Sequence, residues 1–299
     1  MKQQIKSSLI LLLTATIWGV AFVAQSVGME YIGPFTFNAI RCVLGGLVLI
    51  PVILVLKKKK ETGAENQEKE DKKTLWAGGI ACGVILCIAS NLQQFGIMEA
   101  SVGKSGFFTA LYIVMIPVIG IFIGKRPGIK LWFCVALAVV GMYLLCMKEG
   151  SFTIERADIM LLLCALVFSF HILVVDYFSP KVDGVKMSCI QFFVCGVLSA
   201  VGMLFTETPD ISNIQAAWLP LLYAGLLSCG VGYTLQIVGQ KGINPVIASL
   251  IMSLESVISA LAGWVILGQV LLPKEILGCV LMFVAIIITQ IPIGNKKTD

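Results

Sequence analysis

Charged side chains are scarce in this sequence of 299 residues. Asp, Glu, Lys and Arg together make up 13% of it, whereas a soluble domain typically carries about 25%. Hydrophobic residues make up 58%, and the mean hydropathy is +0.95. This composition excludes an ordinary soluble domain and places the chain in a membrane.

Several motifs of catalysis and energy coupling are also missing. Neither H-E-x-x-H nor G-x-x-x-x-G-K-[ST] occurs, which excludes zinc-metalloprotease chemistry and direct drive by ATP. The ten cysteines form no C-x-x-C pair, and a single histidine cannot complete a zinc site with them. We therefore expect no metal and no cofactor, and we interpret the cysteines as small apolar residues. The net charge of +5 does not indicate a nucleic-acid partner, because the basic residues are concentrated in the loops on one side of the predicted membrane.

Apolar runs long enough to cross a bilayer recur along the whole chain. A hydrocarbon core of about 30 Å needs roughly 20 residues of helix. The runs predict an all-α integral membrane protein of ten transmembrane helices, at Ser7–Gln25, Pro34–Leu56, Leu75–Gly96, Ser105–Ile123, Leu131–Met147, Ala157–Phe178, Val185–Phe205, Trp218–Val238, Pro245–Leu267 and Glu275–Pro292. The one long hydrophilic segment, 57–73, is predicted to be a solvated cytoplasmic loop.

The distribution of Lys and Arg predicts the topology. With a cytoplasmic N-terminus, the basic residues on the inner side are Lys2, Lys6, the seven lysines of 57–73, Lys125, Arg126, Lys130, Lys181, Lys186, Lys241, Lys296 and Lys297, which makes seventeen. The outer side holds four, namely Lys104, Lys148, Arg156 and Lys274. The positive-inside rule therefore favours both termini in the cytoplasm of a cell-membrane protein.

The two halves of the chain resemble each other. A shift of 150 residues aligns "LLLTATIWGVAF" (Leu11–Phe22) with "LLLCALVFSFHI" (Leu161–Ile172), and a shift of 142 aligns Cys87 and Gln94 with Cys229 and Gln236. The prediction is a pair of five-helix repeats, 1–148 and 149–299. Since five is odd, the second repeat must enter the membrane from the opposite side. Inverted repeats of this kind favour transport around a central site over catalysis.

Polar and aromatic residues share helix faces at matching places in the two halves. Thr14, Trp18 and Gln25 lie on one face of the first helix, at a spacing of 100° per residue. The set predicted to contact a small amphipathic solute is Trp18, Asn91, Gln94, His171, Tyr233 and Gln236. The alternative is that these side chains only form hydrogen bonds between helices.

Two basic residues inside the spans have alternative roles. Arg41 is a candidate for binding an anionic group of a solute, or for pairing with a carboxylate while its head extends outward. His171 is a candidate proton relay, or a hydrogen-bonded packing residue.

The ninth span carries one carboxylate, Glu255, at its centre. Its helical angles predict a small-residue ridge at Ser249, Ser253, Ser256, Ala260 and Gly263 and a lipid-facing side at Leu250, Leu254, Val257, Leu261 and Val265. Glu255 is on neither face and is predicted to point into the protein. It is a candidate for coupling or for neutralising a solute amine, or else it is a structural ion-pair partner or a protonated hydrogen-bond donor.

These segments resemble the EamA branch of the drug/metabolite transporter superfamily over essentially the whole chain. The similar motifs are "WGVAF" (Trp18–Phe22), "IRCVLGGLVL" (Ile40–Leu49), "ALYIVMIPVIGIFIG" (Ala110–Gly124) and "SLIMSLESVISALAGWVILG" (Ser249–Gly268). Ser256 stands where the family normally has proline, and Lys125 and Gln269 stand where it often has glutamate. The resemblance implies ten helices in inverted repeats, cytoplasmic termini and transport, frequently outward, of amino acids or other small metabolites.

The predicted function is therefore a non-ATP secondary transporter, not an enzyme, and proton coupling is left open. Its expected partners are a small-molecule substrate, the lipid bilayer and protons, with the chain a monomer or a homodimer. Two alternatives have other sequence signals. "GKSG" (Gly103–Gly106) matches the G-x-S-G pattern of rhomboid-type proteases, with Ser105 as nucleophile and His171 as base. The second alternative is a passive channel, which would have the same apolar helices as a transporter.

Overall fold

A computed structural model describes residues 2–62, 71–100, 102–124, 127–146, 155–268 and 272–291. All the regular structure in these ranges is helical. The α-helices are α1 (Lys2–Gly28), α2 (Pro34–Thr62), α3 (Lys72–Glu99), α4 (Val102–Ala110), α5 (Tyr112–Phe122), α6 (Ile129–Cys146), α7 (Arg156–Phe178), α8 (Gly184–Thr206), α9 (Ile211–Ala216), α10 (Trp218–Leu222), α11 (Thr234–Gln240), α12 (Pro245–Met252), α13 (Glu255–Leu267) and α14 (Pro273–Gln290). A π-helix, π1 (Tyr223–Tyr233), joins α10 to α11.

Eight helical segments in the described ranges are long and apolar enough to cross a membrane. They coincide with eight of the ten predicted spans, and they show a multi-pass membrane protein. The fifth and tenth predicted spans are also helical, as α6 and α14, and these two helices pack against each other. A total of ten crossings and the inverted relation of the two halves stay predictions.

The predicted loop 57–73 is wrong at both of its ends. Helix α2 continues to Thr62 and α3 begins at Lys72, while 63–70 lie outside the described residues. Asp71 caps α3 by accepting a hydrogen bond from the backbone N–H of Lys73, and Thr74 donates to its other oxygen. The bonds from Thr74 and Lys73 hold the pKa of Asp71 below its usual value. The carboxylate of Asp71 is therefore ionised at neutral pH and stabilises the start of α3. This start lies in the hydrophilic segment, so hydropathy alone does not reveal it.

Helices of the first half of the chain pack against helices of the second half. Helix α1 packs against α13 and π1, α2 against α8 and π1, and α3 against α7 and α8. Glycines permit the closest approaches. A Cβ at Gly83 of α3 would lie 2.6 Å from Cβ of Val194 and 2.8 Å from the carbonyl oxygen of Gln191, both on α8. The interface between the halves is thus built by close backbone contact, as small residues allow in membranes.

The ninth predicted span is two helices and not one. Asn244 caps α12 through the N–H of Val246, with Pro245 as its first residue, but α12 ends at Met252 and α13 begins at Glu255. Four serine hydroxyls in this region donate to the carbonyl three residues earlier, at Ser249, Ser253, Ser256 and Ser259. Such side-chain bonds compete with the backbone ladder and bend helices, and the bond of Ser253 lies at the interruption itself.

The predicted lipid-facing side of the ninth span is also wrong over its first part. Leu250, Leu254 and Val257 are completely or almost completely buried, whereas Val265 near the end is 74% exposed. Helix α12 is surrounded by α1, α5, α6, α7 and α14. An aliphatic face suits protein neighbours as well as lipid, so helical angles could not distinguish the two environments. The small-residue ridge is buried as expected at Ser249, Ser253 and Ser256.

The fourth predicted span is interrupted in a similar way. Helices α4 and α5 meet at Leu111, whose dihedral angles (φ −62°, ψ −7°) are close to those of Leu254 (φ −59°, ψ −13°) at the start of α13. The residues that open the two second segments are Tyr112 and Glu255. Both interruptions thus place a polar side chain inside the bundle.

The carboxylate of Glu207 connects the end of α8 to the start of α2 at one end of the bundle. Glu207, just after α8, accepts hydrogen bonds from the backbone N–H groups of Phe35 and Thr36 at 2.9 Å each, and from the hydroxyl of Thr36 at 2.6 Å. A Cβ at Gly33 would lie 2.4 Å from the carboxyl carbon of Glu207. Glu207 therefore acts as the N-terminal cap of α2, although it belongs to the other half of the chain.

Replacing Glu207 with alanine is expected to destabilise the protein by about 1 kcal/mol, the usual value of a lost N-cap. The N–H groups of Phe35 and Thr36 would lose their acceptor. Thermal unfolding in detergent measures the effect, with Glu30→Ala as the control because Glu30 is an exposed carboxylate just ahead of α2. Equal melting temperatures for the two variants would contradict the capping role.

Candidate functional site

A cavity lies between the two halves of the chain, and both halves line it. Its volume, including the part that is open to the outside, is about 430 Å³. The polar and charged lining residues are Gln25, Arg41, Gln93, Thr109, Ser228, Gln236 and Glu255, and the aromatic and aliphatic ones are Trp18, Phe22, Tyr112, Phe168, Ile172 and Tyr233. Both interrupted spans and the π-helix contribute. A mostly apolar wall with a few polar groups is typical of sites for small molecules.

Arg41 lies on α2 and is only 2% exposed. Its Nη1 donates to Oε1 of Gln25 at 3.1 Å, and the guanidinium carbon is 5.8 Å from the centre of the Phe37 ring. No carboxylate among the described residues pairs with Arg41, and its Nε has no hydrogen-bond partner there. The predicted carboxylate pairing with an outward-pointing head is therefore wrong, because the side chain turns into the cavity.

Glu255 carries the one carboxyl group that the described residues contribute to the lining of the cavity. It is the first residue of α13 and is 4% exposed, so the predicted inward direction is confirmed. The hydroxyl of Tyr112, the first residue of α5, donates to its Oε1 at 2.9 Å. The contact thus joins the two helix interruptions. Glu255 and Arg41 line the same cavity but form no ion pair with each other.

Aromatic rings form one wall of the cavity. The ring centres of Trp18 and Tyr233 are 4.6 Å apart, with the planes inclined at 55°. The indole N–H of Trp18 donates to the carbonyl of Ser228 at 3.4 Å. Gly232 makes room for the indole, since a Cβ there would lie 2.7 Å from Nε1 of Trp18. The π-helix supplies Ser228, Gly232 and Tyr233 together, and π-helical segments are frequent at functional sites.

Three of the six predicted solute-contacting residues line the cavity, namely Trp18, Tyr233 and Gln236. The other three form contacts between helices. Asn91 accepts from Nδ2 of Asn38 at 2.9 Å and donates to Oγ of Ser199 at 3.0 Å. Nε2 of Gln94 donates to the sulfur of Met29 at 3.4 Å.

The histidine also lies behind the wall of the cavity. Nε2 of His171 is 3.2 Å from Oε1 of Gln191, and its ring is 6.0 Å from that of Tyr233. Asn91, Gln94 and His171 are all buried. In this conformation they form contacts beside the cavity, in agreement with the alternative that these polar side chains form hydrogen bonds between helices.

Sequence reasoning missed several lining residues, above all Tyr112, Gln93 and Thr109. Gln25 and Phe168 lie on the same helix faces as Trp18 and His171, so helical spacing alone could have added them. Helical spacing does not identify Tyr112 as a lining residue. Its position depends on the interruption at Leu111, and its partner Glu255 is 143 residues away.

The residues proposed for protease chemistry do not form a catalytic pair. Oγ of Ser105 is buried and has no hydrogen-bond partner among the described residues, and His171 bonds to Gln191 instead. A serine nucleophile needs its base within hydrogen-bond reach. Within the ranges that the structure describes, no three His, Cys, Asp or Glu side chains group as metal ligands would.

A bundle of apolar spanning helices around a cavity with polar groups is the architecture of a membrane transporter, and comparisons with known proteins show that class. The sequence pattern of the EamA-like transporter family matches residues 5–147 and 155–291. The chain belongs to this family.

Similar proteins include an uncharacterized transporter of Archaeoglobus fulgidus, 27% identical over 94% of this chain and 84% of the relative. The uncharacterized transporter YwfM of Bacillus subtilis is 23% identical over 97% of this chain and 96% of its own length. A solved crystal structure of a protein superposes with a TM-score of 0.77 at 17% identity, covering 95% and 96% of the two chains. The last comparison supports the fold alone.

Proposed function

We propose that this protein is a secondary transporter of small amphipathic metabolites, amino acids or related solutes, and that it exports them across the cell membrane. The observation that carries the proposal is the cavity between the halves, which holds a guanidinium and a carboxylate that do not neutralise each other. Transporters that work by alternating access bind their solutes at such central places. Both termini are assigned to the cytoplasm, from the distribution of basic residues.

The lining supplies separate places for the parts of such a solute. Trp18 and Tyr233 offer aromatic faces to an apolar group, and Gln236 offers an amide. Glu255 serves as proton acceptor or as counter-ion to an amine. Beside the cavity, Asn91 connects α3 to α8 and His171 connects α7 to α8, while Gln94 connects α3 to Met29 just after α1.

The interrupted helices and the π-helix provide places where the bundle can bend. The helical segments that meet at Leu111 and at Ser253–Leu254 can tilt at less cost than uniform α-helices, since several backbone hydrogen bonds there join residues three apart instead of four. We propose that tilting of the halves at these points opens the cavity alternately to the two sides. The chain works as a monomer or a homodimer in this scheme.

Flux in proteoliposomes tests the proposal. Purified protein is reconstituted with an imposed pH gradient, and uptake is measured for a panel of labelled amino acids and amines. We expect saturable flux of at least one solute, accelerated by the gradient in the case of proton coupling. Ionic conductance that does not saturate would favour a passive channel. Absence of any solute flux, with the protein still folded in the vesicles, would contradict the proposed function.

A further inference from the structure

We propose that Arg41 is the binding site for a carboxylate group of the transported solute. The inference rests on the proposed function, and it goes further by naming the chemical group that the solute must carry. The starting point is that Arg41 is a buried cation in the wall of the cavity and lacks an anionic partner among the described residues.

One edge of the guanidinium forms no hydrogen bond within the described residues. Nη1 is held by Gln25, whereas Nε is buried and unpartnered within the described ranges. Nε and Nη2 form the side edge of the fork, which is the edge that binds a carboxylate through two parallel hydrogen bonds. Gln25 and the ring of Phe37 fix the orientation of the group. The edge is therefore preorganised.

Arg41 has no anion in direct contact among the described residues. A guanidinium cannot lose its proton to escape burial, and an uncompensated buried cation is unfavourable. Glu255 lines the same cavity but does not contact the guanidinium, because its hydrogen bond comes from Tyr112 and it forms no ion pair with Arg41. Asp158, another buried carboxylate, pairs with Lys104. The anion that contacts the guanidinium directly would therefore come from a ligand.

A carboxylate fits this site better than a phosphate. The cavity offers a single cation, and the remaining polar groups of its lining are neutral except Glu255. A phosphate with nearly two negative charges would leave one of them uncompensated beside that carboxylate. A carboxylate carries one charge and has the planar shape that matches the fork of Arg41. A solute with both a carboxylate and an amine would place the amine toward Glu255.

The test compares a carboxylate with its uncharged amide. Thermal unfolding of the purified protein is measured with two pairs of ligands, phenylacetate with phenylacetamide and leucine with leucinamide. Each ligand is added up to 50-fold above the phenylacetate concentration that gives half of its maximal effect. For a contact with a single group, that concentration is on the order of millimolar. We expect a concentration-dependent rise in melting temperature with the acids and none with the amides. Equal stabilisation by acid and amide, or by neither, would overturn the inference.

Variants then locate the effect. Arg41→Lys keeps the charge but loses the fork, and we expect at least tenfold weaker stabilisation by phenylacetate. Arg41→Gln should abolish it, and Lys104→Gln, which removes a cation elsewhere, should leave it unchanged. If Arg41→Gln does not fold, two results still test the inference. They are the comparison of acid with amide in the natural protein and the response of the Arg41→Lys variant. An unchanged response in Arg41→Lys would contradict a bidentate contact.

The same measurements separate this inference from the proposed function. Carboxylate binding that depends on Arg41, together with no solute flux in proteoliposomes, would overturn the transport proposal and leave the binding site standing. Flux that is fully retained in Arg41→Gln, or a preference for solutes without a carboxylate, would overturn the binding site and leave transport standing.

Discussion

Replacing Glu255 with glutamine is expected to remove the response of solute flux to a pH gradient and to slow flux at least tenfold, equivalent to about 1.4 kcal/mol in the barrier. Glutamine keeps the size of the side chain and an oxygen that can accept from Tyr112, but it can neither take up a proton nor neutralise an amine. The other titratable or charged side chains lining the cavity are Arg41, Tyr112 and Tyr233, and they remain in the variant. Flux into proteoliposomes at several external pH values measures the change.

Two further variants make this prediction specific. Tyr112→Phe removes only the hydrogen bond to the carboxylate, so we expect slower flux that still responds to the gradient. Glu99→Gln is the matched control, because Glu99 is an exposed carboxylate at the end of α3, and it should behave like the natural protein. A well-folded Glu255→Gln variant with an unchanged pH response would show that Glu255 has only a structural role.

Replacing Gly19 with alanine is expected to destabilise the protein by about 1–3 kcal/mol, the usual cost of overpacking. A Cβ at this position would lie 2.4 Å from Cβ of Ile258 and 2.8 Å from the carbonyl oxygen of Glu255. Because the second contact is with backbone, α13 must move away from α1 as a whole. The same movement would displace Glu255 from Tyr112, so we expect flux to fall as well.

The control for this prediction is Gly103→Ala. A Cβ at Gly103 has no atom within 4 Å, and alanine is the better helix former by about 1 kcal/mol. This variant should therefore be as stable as the natural protein or slightly more so. Thermal unfolding in detergent compares the two. A Gly19→Ala variant with normal stability and normal flux would show that the α1–α13 contact can relax without consequence.

Part of the site could be predicted from the sequence because helical spacing is a local property. Trp18, Tyr233 and Gln236 were selected on shared helix faces, and all three line the cavity. The inward direction of Glu255 followed from the same spacing, since its angle on the helix differs from those of the aliphatic side and the small-residue ridge. These inferences needed no knowledge of which helices are neighbours.

Other predictions failed where a neighbour decides the outcome. The positions of Asn91 and His171 beside the cavity depend on Ser199 and Gln191 of α8, far away in the chain. Arg41 was expected to pair with a carboxylate, but its partner is the neutral Gln25. The Tyr112–Glu255 contact depends on two helix interruptions meeting, and neither interruption changes the hydropathy of its span.

The sequence by itself determined that this is a helical membrane protein, where most of its spans lie and which helix faces carry polar groups. Only the tertiary structure decided which apolar faces meet protein, which polar residues share one cavity, and that Arg41 and Glu255 lie there without forming an ion pair with each other. The physical reason is that lipid and packed side chains are equally apolar environments. Leu250 and Val265 therefore look alike in the sequence, although one is completely buried and the other is largely exposed.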